Sequence, residues 1–454
     1  MSDKRQGTGG VDNHPVRSLL RASAIACGAL LLALPACAGD SGAATPDRTI
    51  TIGVDLPLTG VEGRAGSSTL NGVRFFVKRH PVLDGFTVTI DARDDPASAA
   101  RDTTLGLKNL QALIAKPTVV AVIGPFDSNV ARAQIPVANR ARLALVSPGT
   151  SSRCLTREPF LPAALNPART PITCKAAGLP SPAELRPTGV NNFFRLSTTD
   201  ELQGPAAADY ATRQLHLQRI AVLTDSEAYG QGLADSFTAR FVHLGGTVVA
   251  HTDLDPSKAI DATAFLQAAK NDGAQGVYYG GTSANHACVL RSQMATAFGA
   301  DGAVPLLGGD GIALDPSCVG DAGATAAGIY ATVPAADAEH VDSAAPVITA
   351  FRSQFGRPED FGPGTVAAYD ATGIVYDALD RAIKASAGNL PARDSVVAEL
   401  AATKAYSGAM GVFGFDAAGD TTLRLVSIFR PASPDLDSGW TWVAAADYSA
   451  ALPY

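Results

Sequence analysis

The sequence has no hydrophobic run long enough to cross a membrane as a helix. Its longest apolar stretch, Ala22–Leu34, has 13 residues, whereas a spanning helix needs about 20. Charge of one sign is not concentrated either, because 36 Lys and Arg and 43 Asp and Glu are dispersed and give a net charge of −7. Binding of nucleic acid needs a concentrated basic face, so the composition argues against that function.

The motifs of common catalytic and metal centres are also missing. The sequence has no GxSxG, HExxH or P-loop motif, no CxxC pair and no cluster among its seven His residues. Asp235 replaces the third glycine of a dinucleotide fingerprint that would start at Gly230. A hydrolase acting through Ser-rich turns is a weak alternative because no serine has a positioned base. We expect no enzymatic activity, no cofactor and no metal.

The apolar stretch fits the central region of a secretion signal. Four basic residues precede it: Lys4, Arg5, Arg17 and Arg21. The segment Leu34-Pro35-Ala36-Cys37 follows and resembles a bacterial lipobox. We predict a signal peptide over residues 1–36, lipidation of Cys37 and a flexible tether over residues 37–48. The alternative is an ordinary signal peptide with a chance Cys37. The lipidated form would stay on the outer face of the cytoplasmic membrane.

The remaining cysteines indicate disulfide bonds, in agreement with export. They are Cys154, Cys174, Cys288 and Cys318. Among the three possible connectivities we favour local pairing, Cys154 with Cys174 and Cys288 with Cys318. The first bond would close a loop of about 20 residues and stabilise the protein by about 3 kcal/mol.

From Thr49 onward, short apolar runs alternate with stretches of helical periodicity. The first set predicts strands over 49–55, 86–91, 119–123, 143–146 and 193–196, and helices over 68–80, 97–115 and 128–140. The second set predicts strands over 219–224, 247–251, 276–279 and 305–307, and helices over 230–244, 262–270 and 285–294. Continuous Val, Ile and Leu strands indicate parallel sheets covered on both faces. The fold class is therefore α/β with two doubly wound lobes, and Pro-rich residues 153–190 are predicted to be a disulfide-stapled surface insertion.

In such sheets, ligands bind beyond the carboxyl ends of the strands, where loops meet helix N-termini. In the first half, Ser128 begins a helix after strand 119–123, and the turn Ser147–Ser152 offers hydroxyls beside Gly149. These two turns suit a carboxylate. Each of them also has a plain structural interpretation, as a helix cap or as a Ser/Thr-rich turn.

In the second half, three turns carry candidate side chains. Tyr229 follows strand 219–224, and Thr282 follows strand 276–279. Asp310 stands between glycines after strand 305–307, and it is the best candidate to pair with an ammonium group. An Asx-turn aspartate is the alternative for that position.

Taken in order, these segments resemble the type I periplasmic binding proteins of the branched-chain amino acid (leucine/isoleucine/valine) ABC transporter family. The matching pieces are Ile52–Gly60, Val119–Ser128, Leu145–Ser151, Asp225–Gly232, Tyr278–Gly281, Gly308–Gly311 and Ala368–Ala371. The resemblance implies two lobes joined by a three-segment hinge. It implies an N-terminal lobe of residues 49–196 and 333–412, and a C-terminal lobe of residues 197–332 and 413–454.

The resemblance also implies roles for the turn residues. Ser128, Gly149 and Ser151 match the contacts to the ligand carboxylate and amino group, with Thr150 as a neighbour of Ser151. Tyr229 matches a tyrosine that caps the ligand, and Asp310 matches the acidic partner of the ammonium. Thr282 and Ala65 fall where the family often has aromatic residues, which puts leucine-like specificity in doubt.

The implied function is that of an exported solute-binding lipoprotein of an ABC importer. It would bind an amino acid or a similar small polar ligand between its lobes as a monomer, and deliver it to permease subunits. A ligand-sensing receptor domain with the same fold is the alternative.

Overall fold

The computed structural model describes residues 48–60, 62–96, 103–255, 258–283, 287–299, 303–432 and 439–454. The predicted signal peptide, Cys37 and all of the tether except its last residue lie outside these ranges. None of the helices within them has the length and apolar character needed to cross a membrane.

The first sheet has the strand order β2-β3-β1-β4-β5-β6. Its strands are β1 (Thr49–Leu56), β2 (Val82–Leu83), β3 (Phe86–Asp94), β4 (Val119–Ile123), β5 (Ala144–Ser147) and β6 (Phe193–Arg195). All pair in parallel except the short β2, which is antiparallel to β3. Every residue of β4 is buried, because helices cover both faces of the sheet.

The helices that pack with this sheet come from two distant parts of the chain. They are α1 (Gly63–Arg79), α2 (Thr104–Ile114), α3 (Ser128–Arg140), α4 (Pro182–Leu185), α10 (Ala345–Phe355), α11 (Gly364–Ala385) and α12 (Arg393–Ala402). A two-stranded hairpin of β12 (Tyr406–Gly408) and β13 (Gly411–Phe413) lies against α11.

The second sheet has the order β15-β14-β11-β10-β9-β7-β8. Its strands are β7 (Arg219–Thr224), β8 (Thr247–Asp253), β9 (Gly276–Gly280), β10 (Leu306–Gly308), β11 (Ile329–Val333), β14 (Leu425–Pro431) and β15 (Trp440–Asp447). Its helices are α5 (Gln203–Arg213), α6 (Ala228–His243), α7 (Thr263–Asn271), α8 (Val289–Phe298) and α9 (Pro316–Ala322). The chain passes between the elements of the two sheets after β6, after β11 and after β13. The architecture confirms two α/β lobes joined by three segments, whereas the residue boundaries of the lobes stay a prediction.

The structure corrects several local predictions. The sheets are mixed, because β14 and β15 add antiparallel strands to the second sheet. Helix α1 begins at Gly63, before the predicted Ser68, since Gly66 lets the helix approach the preceding turn: a Cβ there would lie 1.8 Å from the Pro57 carbonyl oxygen. Helix α2 begins at Thr104, and residues 97–102 of the predicted helix lie outside the described ranges.

Residues 153–190 are more than a surface insertion. Both predicted disulfides are present, Cys154–Cys174 within this segment and Cys288–Cys318 in the second lobe. Leu155 and Leu185 of the segment belong to the core on the α3 side of the first sheet. The segment also reaches α6 of the second lobe, where a Cβ at Gly232 would lie 2.7 Å from the Phe160 ring. Its apolar side chains, which showed no period in the sequence, pack in this way against both lobes.

Candidate functional site

The turn after β4 leads into α3 at Ser128. The cap of this helix is Asp127, whose carboxylate accepts hydrogen bonds from the Asn129 and Val130 amides at 2.6 and 3.1 Å. Ser128 is therefore the first helical residue, and its hydroxyl accepts a hydrogen bond from the Ser152 amide at 3.3 Å. This contact joins the two turns that the sequence analysis selected in the first lobe.

The turn after β5 is organised by Ser147. Its hydroxyl donates to the Pro125 carbonyl at 2.7 Å and accepts from the Thr150 amide at 3.0 Å. Gly149 is needed here because a Cβ would lie 2.8 Å from the Phe126 ring. Thr150 is 1% exposed, and its hydroxyl has no hydrogen-bond partner in the part of the chain that the structure describes. A buried hydroxyl without a partner is unusual and is available to a ligand.

In the second lobe, Asp310 and Tyr229 are hydrogen-bonded to each other. The Asp310 carboxylate accepts from the Tyr229 hydroxyl and, at 2.8 Å, from the Gln203 side-chain amide. The Tyr229 oxygen accepts from the Gly311 amide at 3.0 Å. Gln203, which is fully buried, also accepts from the Asp310 amide at 3.0 Å. The turns after β7 and β10 thus meet at the start of α5.

Sequence reasoning missed Asp200, which joins the two lobes. Gln203 donates to its carboxylate at 3.1 Å as well as to Asp310, so both acids share one amide nitrogen. The Asp200 amide donates to the Ser151 carbonyl at 3.0 Å, and the Ser151 hydroxyl binds its carboxylate. Asp200 lies shortly after the lobe boundary between residues 196 and 197 that the resemblance implied. An acidic residue close to that boundary was the available signal.

Thr282 lies at the exposed edge of this group. Its amide donates to the Asp225 carboxylate at 3.3 Å, and its carbonyl accepts from the Tyr279 hydroxyl at 3.3 Å. It is next to Gly311, where a Cβ would lie 3.0 Å from the Thr282 Cα. The structure therefore brings Ser151, Asp200, Gln203, Tyr229 and Asp310 into one hydrogen-bonded chain. In the first lobe, Thr150 directly precedes Ser151, and Ser128 is hydrogen-bonded to the neighbouring Ser152. In the second lobe, Thr282 lies at the exposed edge of the group.

The electrostatic setting of the two acids, Asp200 and Asp310, favours their protonated forms. Burial, followed by the charge of Asp310, raises the pKa of Asp200 to about 7, although the charge of Arg195 acts against this. Burial also raises the pKa of Asp310, although hydrogen bonds from Tyr229 and Gln203 act against this. Among the described residues, neither carboxylate forms a salt bridge. Two close carboxylates resist simultaneous ionisation unless a positive charge is added.

A metal ion is not a suitable source of this positive charge. In the part of the chain that the structure describes, no group of three or more His, Cys, Asp or Glu side chains is placed to hold one. The geometry instead offers carboxylates on one side and hydroxyls near a helix N-terminus on the other, which suits a small ligand that carries both charges.

Similar proteins share this architecture. The Leu/Ile/Val-binding protein BraC3 of Rhizobium johnstonii is 24% identical over 385 residues, which cover 84% of this chain and 91% of that protein. A solved leucine-binding protein of Thermotoga maritima has a TM-score of 0.64 and 22% identity, covering 87% of this chain and 98% of its own. A solute-binding protein of Rhodopseudomonas palustris in complex with 4-hydroxybenzoate has a TM-score of 0.64 and 18% identity, covering 88% and 97%.

The family model described as periplasmic binding protein matches residues 49–433. This range begins at β1 and includes both sheets except the last strand. It also contains every residue of the hydrogen-bonded chain between the lobes. The protein therefore belongs to the periplasmic binding protein family, as a type I substrate-binding protein related to the Leu/Ile/Val-binding proteins.

Proposed function

We propose that this protein binds an amino acid between its lobes and delivers it to the permease of an ABC importer. The observation that carries the proposal is the hydrogen-bonded chain from Ser151 through Asp200 and Gln203 to Asp310 and Tyr229. It contains two carboxylates and no cation. The α-ammonium of an amino acid would supply the missing charge.

The energy available from this pairing is large. A carboxylate and an ammonium about 4 Å apart gain about 4 kcal/mol at an effective dielectric constant of 20. A micromolar complex has a binding free energy of about 8 kcal/mol, so one such contact accounts for a substantial part of it. The ligand carboxylate would bind the hydroxyls of Ser128 and Thr150 beside the N-terminus of α3, because the single hydroxyl proton of Ser151 already goes to Asp200.

The mechanism is binding and closure. The ligand first contacts the turns of the first lobe, and hinge closure then adds Tyr229 and Asp310. Closure removes water from around the charges, which strengthens their attraction. No covalent bond is made or broken. The closed form is the one that the permease recognises.

Binding can be tested by calorimetry with the standard amino acids and 4-hydroxybenzoate. We expect Asp310→Ala to weaken amino acid binding by at least about tenfold, because the ammonium would lose its partner. Asp394→Ala is the matched control, since Asp394 pairs with Arg142 at a site where both side chains are at least half exposed. Unchanged affinity in Asp310→Ala, or saturable binding of 4-hydroxybenzoate with no amino acid bound, would contradict the proposal.

We also propose that Cys37 carries the lipid that keeps the protein at the membrane. Cell fractionation should find the natural protein with the membranes and Cys37→Ser in the soluble extracytoplasmic fraction. Cys27→Ser, within the apolar stretch, is the control and should stay with the membranes. An identical distribution for Cys37→Ser would exclude the lipid anchor.

A further inference from the structure

A second group of carboxylates lies in the first lobe next to Ser128. It consists of Asp55 at the end of β1, Glu62 before α1, Asp94 and Asp95 at the end of β3, and Asp127 before α3. We call it the first-lobe carboxylate cluster. The charges of its other four members all act on Asp95, so the five side chains share one region.

Three members of the cluster have hydrogen-bond donors of their own. Asp94 accepts from the Leu58 and Thr59 amides at 2.8 and 3.2 Å. Asp55 accepts from the side chains of Asn109, at 2.8 Å, and Gln134. Asp127 caps α3. These three carboxylates are explained by the local structure.

Asp95 and Glu62 are not explained in this way. Asp95 is 3% exposed, and within the described residues neither of its carboxylate oxygens has a hydrogen-bond partner. One oxygen of Glu62 is likewise buried without a partner among those residues. A buried acceptor without a donor costs stability, and a charged one costs more. Two such carboxylates side by side indicate that a donor is missing.

The protonation of these groups agrees with a missing cation. Burial, followed by the charges of Asp55 and Asp127, raises the pKa of Asp95 to about 9. Burial and the charge of Asp127 raise the pKa of Glu62 to about 7. Arg93 acts on Asp55 of the cluster and is itself paired with Asp91. Without a ligand, Asp95 therefore holds a proton at neutral pH.

We propose that Glu62 and Asp95 form a subsite for a positively charged group at the far end of the ligand. The proposal rests on the proposed function, in which Ser128 binds the ligand carboxylate. Because Asp127 directly precedes Ser128, the cluster lies next to the proposed position of the ligand carboxylate. The ligand class would then be amino acids with a cationic side chain, such as lysine or arginine.

An organic cation fits this subsite better than a metal ion. No three acidic side chains within the described residues are arranged as metal ligands. An ammonium group offers three donors and a guanidinium five, whereas Asp95 and Glu62 together leave three buried oxygens without a donor. A charged hydrogen bond to each carboxylate would favour its ionised form and displace its proton.

The test compares L-lysine with L-norleucine, which has the same carbon chain without the terminal ammonium. Calorimetry on the whole protein should show lysine binding about tenfold or more tighter than norleucine. In buffers of different ionisation enthalpy, lysine binding should release protons and norleucine binding should release fewer. This comparison needs no variant. Equal affinities with equal proton release would overturn the subsite.

Two substitutions test whether Glu62 and Asp95 are the residues that bind the side-chain ammonium of lysine. Glu62→Gln and Asp95→Asn keep the shape of the protonated groups, and each should reduce lysine affinity about tenfold while norleucine affinity stays the same. Asp91→Asn is the control, because Asp91 lies on the same strand and pairs with Arg93 and Lys116. A lysine preference that both variants retain would also overturn the assignment.

The two proposals can fail separately. Binding of neutral amino acids without any lysine preference would overturn the subsite and leave the proposed function standing. Binding of cadaverine, which lacks the α-carboxylate, in a manner that depends on Glu62 and Asp95 and without binding of any amino acid, would support the subsite and contradict the proposed function. No binding of any of these probes would contradict both.

Discussion

The carboxylate of Asp420 at the hinge and those of Asp200 and Asp310 lie in opposite electrostatic settings. At the hinge, Asp420 accepts from Arg195 at 2.7 Å and from Arg157 at 2.6 Å. Burial would raise the pKa of Asp420, but the charges of Arg195 and Arg157 hold it below its usual value. At the start of α5, Asp200 and Asp310 share the amide of Gln203, and their pKa values are raised.

The difference shows where the protein supplies its own countercharges. Arg195 is fully buried and also donates to the Ser152 carbonyl at 2.8 Å, so it ties the turn after β5 in the first lobe to the third segment between the lobes. The charge of Asp420 is thus balanced by arginines of the protein itself. Asp200 and Asp310 form no salt bridge within the described residues, so under the proposed function the ligand would supply their countercharge.

The largest expected effect is at Arg195. Arg195→Met should lower the free energy of unfolding by about 3–5 kcal/mol, because it removes one partner of a buried ion pair. Urea denaturation measures this loss. Arg157→Met is the comparison, since Arg157 is 35% exposed, and its loss should be smaller. A greater loss of unfolding free energy in Arg157→Met than in Arg195→Met would contradict this prediction.

The two disulfide bonds should have different effects on ligand binding. Cys154 lies three residues before Arg157, so the Cys154–Cys174 bond holds the segment that carries this hinge arginine. Replacing either pair of cysteines by serines should cost about 3 kcal/mol by loss of chain restriction. Only the Cys154/Cys174 variant should also weaken ligand binding. Equal binding losses in both variants would show that the first disulfide has no special link to the hinge.

Asp200→Asn tests the residue that the sequence did not reveal. Removing the charge should weaken amino acid binding by about 1–2 kcal/mol, or five- to thirtyfold, while Asn still accepts the hydrogen bond from Gln203. Calorimetry measures the change, with Asp394→Asn as control. Affinity equal to that of the natural protein would remove Asp200 from the ligand contacts.

The smallest effect is on the pH dependence of stability. The raised pKa of Asp200, about 7, means that the folded state keeps a proton that the unfolded state loses, so stability falls as pH rises from about 4 to about 7. Asp420 acts with the opposite sign, since its lowered pKa makes stability fall only below about pH 4. Thermal melts of Asp200→Asn should show a flatter profile between pH 5 and 7 than the natural protein, and an unchanged slope would contradict this.

Much of the fold and part of the site could be predicted from local patterns. Unbroken Val and Ile runs identified strands such as β4, because a strand buried on both faces has to be apolar throughout. Asp310 and Tyr229 were selected because strand-end turns in doubly wound sheets are where ligands bind, and the structure brings these two side chains into contact. The start of α1 near glycines and the antiparallel strands β14 and β15 were missed. The close approach of a helix to a neighbouring turn, and the pairing of strands at the edge of a sheet, leave little trace in a local sequence pattern.

The sequence by itself determined the alternation of strands and helices, the cysteines available for pairing, and the turns that carry hydroxyl, phenol and carboxyl groups. These follow from side-chain periodicity and from residue chemistry, which are local. Only the tertiary structure decided which carboxylates received a cation and which received a neutral amide. Arg195 meets Asp420 across 225 positions of the chain, and Gln203 meets Asp310 across 107. Charge pairing acts over a few ångströms in space, so distance along the sequence carries no information about it.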